Sequence, residues 1–179
     1  MEVSAEFEGF ASAITDLFKA TFTASEGSEE GELIGALARR LMEETPSEDH
    51  RVFTAWNNGE LEGAIIFSRL TFEGDKRAVF ILGPVAVATK RQRQNIGPRL
   101  ISHGLKVLRQ EGVDFAATYG DPRFYERVGF SPITEKYAPA PFPLQHPEGW
   151  LGQFLNNSPK KPLKGPSRCV AAFDDPTFW

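Results

Sequence analysis

Residues 85–100, VAVATKRQRQNIGPRL, run from an apolar strand pattern through a basic, glutamine-rich loop into the opening of an amphipathic helix. The first backbone N–H groups of a helix have no intrahelical partner and lie at the positive end of the helix dipole. Such an end favours phosphate. Lys90, Arg91, Gln92 and Arg93 place four donor-bearing side chains just before it. The stretch is read as the seat of a pyrophosphate-bearing ligand, against the plainer alternative of a solvated basic loop that caps a helix.

Working outward, Ala78 to Val87 is almost wholly apolar, the pattern of a central strand buried on both faces. Gly83-Pro84 interrupts it, and proline removes a ladder donor. The segment is therefore either two shorter strands or one bulged, splayed strand with freed backbone groups. Downstream, Leu100, Ile101, Leu105 and Leu108 stripe one helix face up to Gly112, and Val113 to Tyr119 returns as a strand. That βαβ unit predicts parallel strands with a right-handed crossover. Pro122 to Arg127 reads as a short helix, and Phe130 onward as a further strand.

Upstream, Phe7, Phe10, Ile14, Leu17 and Phe18 mark one amphipathic helix. Leu33, Ile34, Leu37, Leu41 and Met42 mark a second, ending before Pro46. Arg51 to Trp56 and Leu61 to Phe72 flank Asn57-Asn58-Gly59, a strong hairpin signal. Pro139–Pro147 and Asn156–Pro166 read as proline-rich loops, and Arg168 to Phe173 as a closing strand. The order predicts one α/β domain over residues 1–179, with a mixed sheet, antiparallel in its first half, and helices on both faces.

The 179 residues suffice for one buried core. A net charge of −4 weighs against affinity for nucleic acid through its phosphates. Cys169, the single cysteine, cannot form an internal disulfide, which fits a reducing compartment. No apolar run is long enough to span a bilayer, so a cytoplasmic protein without a membrane partner is expected. His50, His103 and His146 are scattered, and no metal is expected.

LGPVAVATKRQRQNIGPRLISHGL followed by DFAATYGDPRFYERVGF resembles the GCN5-related N-acetyltransferases (GNAT). More narrowly it is similar to predicted bacterial members with a Gly-Asp-Pro strand end and a Tyr-x-x-x-Gly-Phe segment. The resemblance covers Val52 to Phe130 well and the ends more loosely. It implies a GNAT-like fold with a splayed, bulged strand. Acetyl-CoA would lie with its pyrophosphate over Gln92, Arg93, Gln94, Asn95, Ile96, Gly97, Pro98 and Arg99. Its pantetheine arm would pair with the backbone of Val85, Ala86 and Val87. The family's first loop glycine is replaced here by Asn95, among the few other residues that tolerate a left-handed backbone. Pro98, at a first helical position, costs the helix nothing but removes one phosphate donor.

The resemblance also implies that Tyr125, four residues before Gly129-Phe130, protonates or stabilises the departing CoA thiolate; the alternative is a packed aromatic beside Phe124. Tyrosine carries its proton at neutral pH, as the role needs. Tyr119 is a weaker substitute. A main-chain N–H near Val85 would hold the oxyanion. The base is open. Asp121 stands at the C-terminal end of a parallel strand, where ligands gather, but it equally suits the cap of the helix at Pro122. Glu73, His146 and a water relay are the other candidates. Pro139–Pro147 and Trp150 are expected to wall the acceptor side.

The leading reading is acetyl transfer from acetyl-CoA to a primary amine, small molecule or protein, by direct attack in a ternary complex. A non-catalytic acyl-CoA-binding module is the alternative. A toxin-like enzyme acting on charged tRNA is disfavoured by the acidic balance. Pairing of two copies through the C-terminal strand is open.

Overall fold

The computed structural model describes residues 1–157 and 159–179. The elements in chain order are β1 (Glu2–Ser4), α1 (Ala11–Glu26), α2 (Ser28–Glu44), β2 (His50–Asn57), β3 (Glu60–Phe72) and β4 (Asp75–Val87). They continue with α3 (Ile96–Gln110), β5 (Phe115–Tyr119), α4 (Pro122–Tyr125), β6 (Ser131–Pro132), β7 (Trp150–Phe154) and β8 (Ser167–Arg168). The strand order is β1-β2-β3-β4-β5-β7-β6, with β8 paired to β3. The sheet is mixed, as expected: β4 and β5 run parallel, and β1/β2, β5/β7, β6/β7 and β3/β8 run antiparallel.

The chain folds into two compact units, 1–67 with 83–104, and 68–82 with 105–179. In the first, α1 and α2 form a helical hairpin around Gly27, whose φ of 99° suits glycine. Gly31 and Gly35 let the helices close: a Cβ on either would meet Lys19 or Thr23 at 3.0 Å or less. Ile14, Phe18, Leu37 and Leu41 are buried in this unit. Asn58 and Gly59 take φ of 50° and 80°, the two positive values a type I′ hairpin needs. At Gly104, α3 meets Phe53 and Phe67 so closely that a Cβ would stand 2.6 Å from the Phe67 ring.

In the second unit β5 is the spine. It pairs with β4 from Val79↔Phe115 to Leu82↔Thr118 and with β7 from Phe115↔Phe154 to Tyr119↔Trp150. Trp150, Phe115, Phe130 and Trp179 are fully buried here. Asp75 and Arg77 clamp the segment around residue 162. Arg77 donates to the carbonyls of Lys161 (2.8 Å) and Pro162 (2.9 Å), and Asp75 accepts from Arg77 (2.7 Å) and the Lys164 amide (3.3 Å).

Of the two readings left open for Ala78 to Val87, the single strand is the one found: β4 runs through Gly83-Pro84, which are joined by a cis bond. Several expectations need correction. Phe7 and Phe10 precede α1, and Phe10 is exposed. The strand after Phe130 is only Ser131–Pro132, and the closing strand ends at Arg168, followed by a 3₁₀ turn over Ala171–Phe173. The strands β1 and β7 were not anticipated, because each is a short run whose partners lie far away in sequence.

Candidate active site

In the first unit, Ala88 N–H donates to the Glu62 carbonyl of β3 at 2.8 Å. Strand alternation therefore turns the backbone groups of Ala86 and Ala88 toward β3, and those of Val85 and Val87 away from it. The Val87 carbonyl is met instead by side chains, the Gln92 amide at 3.2 Å and the Thr21 hydroxyl at 3.5 Å. Of the three strand residues expected to pair with a ligand, Val85 and Val87 turn their backbone groups away from β3, and Ala86 turns its own toward it.

The loop then bends through two left-handed residues, Arg93 (φ 62°) and Asn95 (φ 63°). Alternation of right- and left-handed residues turns successive N–H groups toward one concavity, an anion-binding arrangement. Asn95 takes the conformation for which asparagine is the best substitute for glycine. The first α3 bond, Arg99 N–H to Asn95 O at 3.3 Å, leaves the amides of Ile96 and Gly97 as helix-start donors. Pro98 is the third helical residue, not the first. It is tolerated for the same reason, because that amide has no intrahelical acceptor. Gln92, Arg93, Gln94, Asn95 and Arg99 are exposed, whereas Ile96 is buried and packs toward Gly63.

Lys90 and Arg91 do a different job. Lys90 Nζ lies 3.1 Å from Glu60, and Arg91 Nε lies 2.8 Å from the buried Glu62. Both cations tie the loop to the start of β3.

In the second unit, Tyr125 closes α4, the turn after Gly-Asp-Pro. Asp121 caps that turn, its carboxylate accepting the Arg123 amide at 3.0 Å. The Tyr125 ring lies against Gly120, where a Cβ would stand 2.8 Å from Cε2, and makes edge contacts with Phe124 and Phe130. Burial pushes the phenol up to about 12; the Thr118 hydroxyl opposes that rise and the Asp121 carboxylate adds to it. Tyr125 is therefore fully protonated at neutral pH.

A family description, the acetyltransferase (GNAT) domain, matches residues 4–133. The chain belongs to the GNAT acetyltransferase family. Within it, the Escherichia coli (strain K12) protein called uncharacterized N-acetyltransferase YjhQ is 33% identical over 148 residues, covering 80% of this chain and 79% of that protein. The E. coli GNAT protein YhbS, crystallised with CoA, superposes with a TM-score of 0.80 at 20% identity, over 97% of this chain and 92% of its own. A Brucella melitensis GNAT acetyltransferase in complex with acetyl-CoA superposes at 0.72 with 24% identity, over 97% of each chain. The chain is thus a GNAT enzyme, an N-acetyltransferase by family, with the family's mixed sheet.

The remaining candidates separate clearly in this GNAT fold. Asp121 is engaged as a helix cap and paired with Arg123 at 3.7 Å, 58% exposed. Glu73 is exposed in the β3–β4 turn, and the exposed His146 lies 3.5 Å from Glu148. The Tyr119 hydroxyl oxygen accepts the His146 amide at 2.7 Å, and its ring stacks on Trp179. Trp150 is not a loop wall: it opens β7 and is fully buried, its indole donating to Ala138 O at 2.9 Å. Cys169 lies outside a strand and is half-buried; burial first, then the Asp174 carboxylate, push its thiol up to about 11. Among the described residues no group of His, Cys, Asp and Glu is arranged for a metal, and no helix is long and apolar enough to cross a membrane.

Proposed function

We propose that this chain transfers the acetyl group of acetyl-CoA to a primary amine by direct attack in a ternary complex. The observation that carries the reading is the run from β4 into α3. Outward-facing backbone at Val85 and Val87 leads into a doubly left-handed loop and two free helix-start amides, in a chain whose family includes CoA-bound relatives. Gln92, Arg93, Gln94, Asn95, Arg99 and the amides of Ile96 and Gly97 hold the pyrophosphate. Val85 and Val87 hold the pantetheine amides as a short added strand, and the Val85 N–H faces the oxyanion.

The amine nitrogen bonds to the acetyl carbon, and the carbon–sulfur bond breaks with its electron pair on sulfur. Tyr125 supplies that sulfur with a hydrogen bond and then a proton. With Asp121 spent on its cap, the amine's proton leaves through water. Cys169 has no part, since its thiol is too weak an acid to form a thiolate at neutral pH.

The test is release of free CoA thiol from acetyl-CoA against a panel of polyamines, amino-acid amides and lysine peptides. Thiol release with at least one amine above the hydrolysis rate, slowed about 100-fold in Tyr125→Phe, is the expected result. Acetyl-CoA binding without any amine-dependent release would reject the enzymatic reading.

A further inference from the structure

A strand residue that takes on a neighbouring chain does so through both its N–H and its C=O. At Val87, in the first unit, the carbonyl is already met. Gln92 Nε2 donates to it at 3.2 Å, and the Thr21 hydroxyl of α1 stands at 3.5 Å, the far limit of a hydrogen bond. A carbonyl oxygen has two lone pairs. Gln92 is therefore the principal donor on a group that a pantetheine amide needs.

The main chain of Gln92 is committed as well. Its N–H donates to Thr89 O at 3.4 Å, closing the 3₁₀ turn of Thr89–Arg91. Only the side chain is left to meet a phosphate over the loop, and that same side chain lies on Val87. Gln92 is exposed, so its bond to Val87 forms in competition with water and is weak. A hydrogen bond to a charged oxygen is roughly twice as strong as one between neutral groups. A phosphate therefore outbids the Val87 carbonyl for the Gln92 amide.

We propose that Gln92 is a specificity-determining residue, which withholds the Val87 carbonyl from thioesters that lack a pyrophosphate. At rest its amide lies on Val87. A pyrophosphate over the loop draws it off, and the freed carbonyl takes the pantetheine N–H. The inference rests on the reading of the β4–α3 loop as the pyrophosphate seat. It couples the two halves of the cofactor, since the nucleotide half prepares the strand for the pantetheine half. S-acetylpantetheine, the same thioester without the nucleotide, has nothing that draws Gln92 away and must displace it unaided.

The experiment follows the Val87 carbonyl and the Ile96 and Gly97 amides by NMR in protein labelled with carbon-13 and nitrogen-15. The nucleotide half of CoA, 3′-phospho-ADP, is added to the parent and to Gln92→Ala. In the parent the Val87 carbonyl should move together with the two amides, toward the position it holds in free Gln92→Ala. In Gln92→Ala the amides should still respond and Val87 should stay. By calorimetry, Gln92→Ala should bind S-acetylpantetheine about three- to tenfold more tightly than the parent, because nothing has to be displaced. It should bind acetyl-CoA more weakly by about the same factor, the difference between the phosphate bond lost and the Val87 bond no longer broken. A Val87 carbonyl that ignores 3′-phospho-ADP while Ile96 and Gly97 respond would overturn the proposal and leave the seat in place. So would a Gln92→Ala protein that loses affinity for both thioesters, or for neither. Ile96 and Gly97 amides silent toward both 3′-phospho-ADP and acetyl-CoA would remove the seat itself, and the inference with it.

Discussion

Arg91 Nε stands 2.8 Å from Oε1 of Glu62, a carboxylate only 4% exposed, and the pair joins the start of the β4–α3 loop to β3. A buried carboxylate stripped of its cation is left with a weak contact from Asn57 at 3.4 Å. Arg91→Ala should therefore lower stability by about 2 kcal/mol. Lys90→Ala, which breaks an exposed pair with Glu60, should cost less than about 1 kcal/mol. Urea unfolding of the two variants makes the comparison; equal losses would mean that the Glu62 pair does not anchor the loop.

Gly120 carries a second prediction. Any side chain there would press on Tyr125 Cε2 from 2.8 Å. Gly120→Ala should displace the phenol and reduce thiol release about 10- to 100-fold, in line with the penalty for misplacing a reacting group. Acetyl-CoA affinity should stay within about twofold, because the loop residues are untouched. An equal loss of affinity would place Gly120 in the binding of the cofactor rather than in the seating of Tyr125.

Much of this was legible in the sequence for local reasons. The Asn58-Gly59 turn, the helix stripes and the Asp121-Pro122 cap all depend on neighbours within a few positions. The β4–loop–α3 run was equally readable, since strand, loop and helix start are consecutive. What stayed hidden depends on distant partners. Trp150–Phe154 lacks a clean alternation and becomes a strand because β5 and β6 bracket it. Arg91, one of the four donor-bearing side chains before α3, has its partner Glu62 twenty-nine positions earlier in the chain. Ala86 turns its backbone toward β3 through the pairing of Ala88 with Glu62, which no local pattern encodes.

Acid should act through Asp75. Its hydrogen bonds with Arg77 hold the carboxyl down to about 2, below its ordinary 3.8. A depressed folded value means that the stabilisation is complete above about 3.8 and is lost as pH falls toward about 2. Asp75→Asn should be less stable than the parent at neutral pH, and the gap should close between about pH 4 and pH 2. Thermal melts across that range decide it; a gap independent of pH would show that the carboxylate's charge is not what ties down the segment around residue 162.

Cys169 should be slow chemistry. With its thiol at about 11 and half-buried, little thiolate exists at neutral pH. Alkylation by iodoacetamide should lag well behind free cysteine, and Cys169→Ser should transfer acetyl at the parent rate. Loss of turnover in that variant would point to a covalent acyl-thiol route and against direct attack.

The central claim, that the β4–α3 loop seats the pyrophosphate of acetyl-CoA, is tested most directly by calorimetric titration of acetyl-CoA into the parent protein and into Asn95→Asp. Asn95 and Asp share size and tolerance of the left-handed backbone, so the variant adds a negative charge at φ 63° with little else changed. Saturable binding to the parent, weakened about tenfold or more by the added charge, is the predicted result. Absence of binding to the parent, or equal affinity in both proteins, would contradict it.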